Sequence, residues 1–255
     1  MIRLACLLAI LCGTAAAAAE PPENLFLANL TSPELRRAID GGKRTVILPT
    51  GGIEQNGPHM VLGKHDVIVR WAAGRIAEQL GDALVAPVLS LVPEGGTNPA
   101  TGNMWGAGTI DLPPALFAAV LEAAASSLKS HGFRLICLIG DHGLSQPAQE
   151  QLAARLTARW QGDGVRVLQV GDYYAANGQA DWLVAHGETA EAAARHAGVT
   201  DTSELLALRP DGVRTGLAAG GAERASAETG RVLLDLKIAA AVRQIKATTG
   251  VLARP

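Results

Sequence analysis

Four short apolar runs alternate with longer stretches whose apolar residues recur at helical spacing, and few folds accommodate that order. The runs lie at about 44–50, containing Val46, Ile47 and Leu48, at about 83–92, at 133–140, containing Leu135-Ile-Cys-Leu-Ile139, and from Val165 to Val170. They are apolar on both faces, as strands covered by helices on two sides must be. A short helix is expected from Thr31-Ser-Pro-Glu34, which reads as a capping box with Pro in the first turn, to Gly41–Gly42. A second runs from about Asp66 to Leu80, with Ile68, Ala72, Ile76 and Leu80 at one helical spacing. A third covers Pro114 to Lys129, a fourth about 147–160, and a last about Ser226 to Ile245. The predicted fold class is α/β: a three-layer α/β/α arrangement around a mostly parallel central sheet. Sites in such sheets form at the carboxyl ends of the strands, so the loops that follow them are where chemistry is to be sought.

Residues 1–19 read as a signal peptide. Arg3 supplies the positive start, Leu4 to Leu11 the apolar core, and Ala15 to Ala19 the small residues for cleavage. That apolar core is too short to span a bilayer. The expected mature chain, 20–255, is then a single exported, periplasmic α/β domain. Cys6 and Cys12 leave with the leader, so Cys137 is left without an intrachain disulfide partner and reads as a core thiol. A net charge of −2 argues against nucleic-acid binding.

The loop after the first strand carries Glu54, His59, His65 and Asp66, with Gly57-Pro58 fixing a turn among them. Oxygen and imidazole donors behind a rigid strand end suit a hard or borderline divalent metal. Asp141 and His142 follow the third strand directly, and Asp172-Tyr-Tyr174 follow the fourth. No Gly-x-Gly-x-x-Gly or Gly-Lys-Ser/Thr pattern surrounds Thr50-Gly51-Gly52, which argues against a nucleotide loop. A serine-hydrolase elbow is also missing.

The stretch Pro49-Thr-Gly-Gly-Ile-Glu-Gln-Asn-Gly-Pro-His59 resembles the first signature of the creatininase (creatinine amidohydrolase) family, Gly-x-x-Glu-Gln-His-Gly-Pro-His followed shortly by an Asp. In that family the Glu, the first His and the Asp hold metal. Here Glu54 and His59 are in register, Asn56 stands at the first His, and Asp66 comes one residue later than usual. Ile139-Gly-Asp-His-Gly-Leu-Ser-Gln146 resembles the second signature, Asn/Asp-Gly-His-Gly-Gly-Asn, whose His is a ligand. His142 matches it, and Leu144 stands where creatininase itself has a metal-binding Glu. His196-Ala-Gly-Val-Thr-Asp-Thr-Ser203 resembles the third, whose His lies at the substrate and whose acid, here Asp201, lies at the metal site. Asp201-Thr-Ser-Glu204 also fits a helix N-cap with Glu at N3. Gly108-Thr109-Ile110 resembles the family's Pro-Gly-Thr segment, with Ala107 in place of the Pro. The likeness runs from about residue 44 to 210.

The resemblance implies a metal-dependent hydrolase of a cyclic or other non-peptide amide, binding Zn or Mn, and commonly a homo-oligomer. The expected ligands are Glu54, Asp66 and His142, with His65 or Asp201 completing the shell. His196 and Asp201 are the expected catalytic pair, His196 carrying a proton to the leaving nitrogen. His59, Trp105 and Thr109 are expected at a small-molecule substrate. Asn56 and Leu144 remove two donors on one side, so one tight metal is expected and the second position is doubtful. The same departures motivate an alternative: a catalytically weakened member of the fold acting in small-molecule binding or as a scaffold.

Overall fold

The computed structural model describes residues 17–252. Most of the expected leader, residues 1–16, therefore lies outside the described residues.

Four strands make one sheet, β1 (Thr45–Thr50), β2 (Ala83–Val85), β3 (Leu135–Gly140) and β4 (Arg166–Gln169), in the order β2-β1-β3-β4. Every neighbouring pair is parallel. The pair β1–β3 holds six residues in register, from Thr45 opposite Leu135 to Thr50 opposite Gly140. This brings the ends of β1 and β3, and the loops carrying Glu54 and His142, to one edge.

The helices are α1 (Ser32–Asp40), α2 (Lys64–Leu80), α3 (Pro114–His131), α4 (Gln146–Trp160), α5 (Gln179–Ala185), α6 (Ala190–Ala193), α7 (Val199–Leu208) and α8 (Ala227–Leu252). Alternate strand residues feed two cores. Val46, Leu48, Leu84, Ile136, Leu138 and Val167 pack on one face against Ile39 of α1, Phe117 and Leu121 of α3, and Leu152 and Leu156 of α4. Ile47, Val85, Leu135, Cys137 and Ile139 pack on the other against Ile68 and Ile76 of α2 and Leu234, Ile238 and Ile245 of α8. Each fully buried side chain of this size contributes roughly 1.5–3 kcal/mol. The result is the expected three-layer α/β/α fold. Cys137 is buried and unpaired, as expected, and burial pushes its thiol pKa up.

Local chemistry sets the boundaries. Glu34 accepts the Thr31 backbone N–H at 2.7 Å, so α1 opens on the expected box. The second strand is only three residues, not the ten expected from 83–92. Pro87 has no N–H for the ladder, and pairing resumes only at single bridges from Leu89 and Val92. Helix α2 starts two residues before the expected Asp66, which puts Lys64 and His65 in its first turn. Helices α5 and α6 were not foreseen. Helix α7 begins at Val199 behind Gly198, so Asp201 sits at its third position rather than at the N-cap. Among the described residues no helix is long and apolar enough to cross a membrane.

Candidate metal centre and its cavity

Glu54, His65 and His142 each offer a ligand atom, these atoms lie within 4.8 Å of one another, and all three residues are buried. The β1 end, the first turn of α2 and the β3 end supply one each.

Close approach makes this possible. A side chain on Gly51 would put its Cβ 1.8 Å from Asp66 Oδ1, so only Gly lets the chain leaving β1 pass the start of α2. Asn56 then fastens the loop: its Nδ2 donates to the Glu54 carbonyl at 2.9 Å and to the Val61 and Leu62 carbonyls at 3.4 Å. On the β3 side Ser145 Oγ and Gln146 Nε2 both donate to the His142 carbonyl, at 2.7 and 3.1 Å.

Glu54 Oε1 lies 2.6 Å from His65 Nε2, and Glu54 Oε2 lies 3.3 Å from His142 Nε2. Glu94, fully buried, brings Oε2 to 3.1 Å from the same His142 nitrogen. Asn103 Nδ2 braces that oxygen at 2.9 Å, while Glu94 Oε1 has no hydrogen-bond partner. Burial alone would raise the Glu54 carboxyl, but His142 and His65 outweigh it and hold it well below the usual carboxylate range. Burial likewise opposes a charged His142, yet Glu54 and Glu94 raise its pKa to about 9. Two buried carboxylates converging on one imidazole, one with an unpartnered oxygen, form an anionic pocket that a cation would satisfy. Mixed carboxylate and imidazole donors fit Zn or Mn.

The centre opens into a cavity of about 460 Å³, whose wall includes Lys64, Leu144, Tyr174, Arg195, His196 and Asp201. His196 Nε2 donates to the Gln55 carbonyl at 2.9 Å, which leaves Nδ1 as the free nitrogen of the neutral ring, 3.8 Å from Glu54 Oε1. Asp201 is held by Lys64, whose buried ammonium lies 2.7 Å from Oδ2, and by the Ala197 N–H at 2.9 Å. Its carboxyl is hindered by burial but kept charged by Lys64.

The remaining expected residues lie elsewhere. Asp66 is not one of the three; its Oδ1 accepts the Gly52 N–H at 3.2 Å. The side chain of His59 is buried against Thr202 Oγ1 at 2.9 Å and does not line the cavity. Thr109 Oγ1 accepts the Gln55 N–H at 3.0 Å, and Trp105 is 72 % exposed; neither lines the cavity. Reading the sequence missed Glu94, Asn103 and Lys64. Glu94 had a usable signal: it follows the second apolar run, in Pro93-Glu-Gly-Gly96, where that run meets the site edge.

The family model described as "Creatininase: Creatinine amidohydrolase" matches residues 28–255. Creatinine amidohydrolase of Pseudomonas putida is 27 % identical over 205 residues, 74 % of each chain. The mycofactocin precursor peptide peptidase of Mycolicibacterium smegmatis is 30 % identical over 176 residues, 67 % of this chain and 60 % of that one. A crystal structure of creatinine amidohydrolase (creatininase) superposes with a TM-score of 0.73 at 23 % identity, covering 89 % of this chain and 98 % of the other. A creatininase with Mn gives 0.72 at 23 % identity, covering 88 % and 98 %.

Proposed function

The chain belongs to the creatininase (creatinine amidohydrolase) family, and from that premise we propose that it hydrolyses a non-peptide amide with one bound divalent metal. The observation that carries this reading is the convergence of Glu54, His65 and His142 at the floor of a cavity. These three, with Glu94 beside them, would hold Zn or Mn. Such an ion lowers the pKa of a bound water toward ~7 and polarises a carbonyl. His196 presents its unprotonated Nδ1 to the same space, placed to take a proton from the attacking water and pass it to the departing nitrogen.

Support for a single ion comes from three side chains. Asn56 spends its amide on loop carbonyls, and its buried Oδ1 has no partner. Leu144 is apolar and lines the cavity. Lys64 already brings a positive charge to Asp201. A fixed ammonium beside that carboxylate disfavours a second cation there. Purified protein should carry one tightly held Zn or Mn by elemental analysis, and a chelator should abolish turnover on a panel of cyclic and formyl amides. Two tight ions per chain would sink the one-metal reading. Turnover of peptides alone would replace the substrate class by one closer to the peptide peptidase among its relatives.

Export belongs to the same proposal. N-terminal sequencing of the secreted protein should begin near Glu20, and retention of Met1 would refute it. Ala18 donates its N–H to the Ala207 carbonyl at 2.9 Å and Ala19 accepts from the Trp71 indole at 3.0 Å. Cleavage after Ala19 removes both bonds.

A further inference from the structure

His65 is hydrogen-bonded at both ring nitrogens to buried carboxylates. Nε2 faces Glu54 and the metal centre, while Nδ1 lies 2.8 Å from Asp141 Oδ2. Asp141 has no free role at the centre, because its other oxygen accepts from Tyr173 OH at 2.7 Å and from Lys237 Nζ at 2.9 Å. Lys237 also reaches Glu204 Oε2 at 3.1 Å and sits 4.7 Å from the centre of the Tyr173 ring. Glu204 is held in turn by Gln179 Nε2. All six side chains, His65, Asp141, Tyr173, Gln179, Glu204 and Lys237, are buried, and they come from six separate parts of the chain.

Burying a lysine and two carboxylates this deeply is costly and is weak evidence for stability by itself. A hydrophobic cluster would hold the same elements together at least as well. The network meets the metal centre through the Asp141–His65 bond. A metal-ligating imidazole commonly donates its second N–H to a carboxylate, which fixes tautomer and ring orientation and raises the ring's basicity.

We propose that Asp141 is the positioning residue of the metal centre: held by Tyr173 and Lys237, it keeps the proton of His65 on Nδ1 and turns Nε2 toward the ion. The inference rests on the metal-dependent reading above. Lys237 keeps its second partner Glu204 when Asp141 is neutralised, so Asp141→Asn leaves no lone ammonium in the core.

The test is metal affinity, measured for Zn by competition with a chromogenic chelator, together with the visible spectrum of the Co-substituted protein. Asp141→Asn should weaken Zn binding about 10- to 100-fold and alter the Co bands. In a His65→Asp background, where the ligand has no second N–H to orient, the same change should cost less than about threefold. Equal losses in the two backgrounds, or an unchanged affinity in folded Asp141→Asn protein, overturn the proposal. If Asp141→Asn fails to fold, Tyr173→Phe carries the test: a smaller loss of Zn affinity with altered Co bands supports it, and unchanged values overturn it. Wild-type protein that binds neither Zn nor Co instead defeats the metal-dependent reading itself.

Discussion

His142→Ala should leave the protein without bound metal and without the proposed amide hydrolysis, in a chain that still folds cooperatively. The side chain is a third of the donor set but belongs to neither main core. Loss of the ion forfeits several kcal/mol of transition-state stabilisation, a rate loss of about 10³-fold or more. Elemental analysis should fall from one metal per chain to near zero while the denaturation transition stays single. The wild-type protein adds a pH signature. Metal-free His142 is protonated up to about 9, so capture of an ion must displace that proton. Affinity should therefore weaken as pH falls below about 9, one proton leaving His142 for each ion bound. A variant that retains its metal would show that His142 is not a ligand.

Gly230→Ala should destabilise the protein by about 3 kcal/mol. On helix propensity alone the change would gain up to about 1 kcal/mol. The crossing of α8 over α7 decides the sign. A Cβ on Gly230 would sit 1.9 Å from the Ser203 carbonyl oxygen and 2.4 Å from its carbon, and backbone atoms cannot swing aside. The helices must separate, and α7 carries both Asp201 and Glu204. The urea midpoint reports the loss, and an unchanged midpoint would refute the close crossing.

The layers were legible because β1 and β3 are apolar at nearly every position and because α2, α3, α4 and α8 have long stretches of helix formers. The length of β2 was misread because apolarity persists past Pro87 while the continuous ladder does not, pairing resuming only at single bridges. Glu54 and His142 were legible as donors directly after strands. The difference between His65 and Asp66 was not. One helical step turns a side chain by about 100°, and only the true start of α2 shows that His65 faces Glu54 while Asp66 faces the Gly52 backbone. Lys64 and Lys237 are ordinary charges in the sequence and acquire meaning only when the topology buries them.

The chain distances within the centre bear on how it comes into being. Glu54 and His142 are 88 positions apart, Asp141 and Lys237 are 96, and Gln55 and His196 are 141. Closing such loops is entropically costly but nearly indifferent to their exact length, each doubling adding only about 0.6 kcal/mol. A fragment that stops short of α8 holds Glu54, His65 and His142 but lacks Lys237, so the support behind Asp141 is complete only when α8 packs on the sheet. An ion captured there would act as a clasp between distant segments. At a thousandfold excess over its dissociation constant it would add about 4 kcal/mol to the folded state. Chelation would then do more than silence the catalyst: it would loosen the loop from Gly51 to Gly63 and open it to proteases.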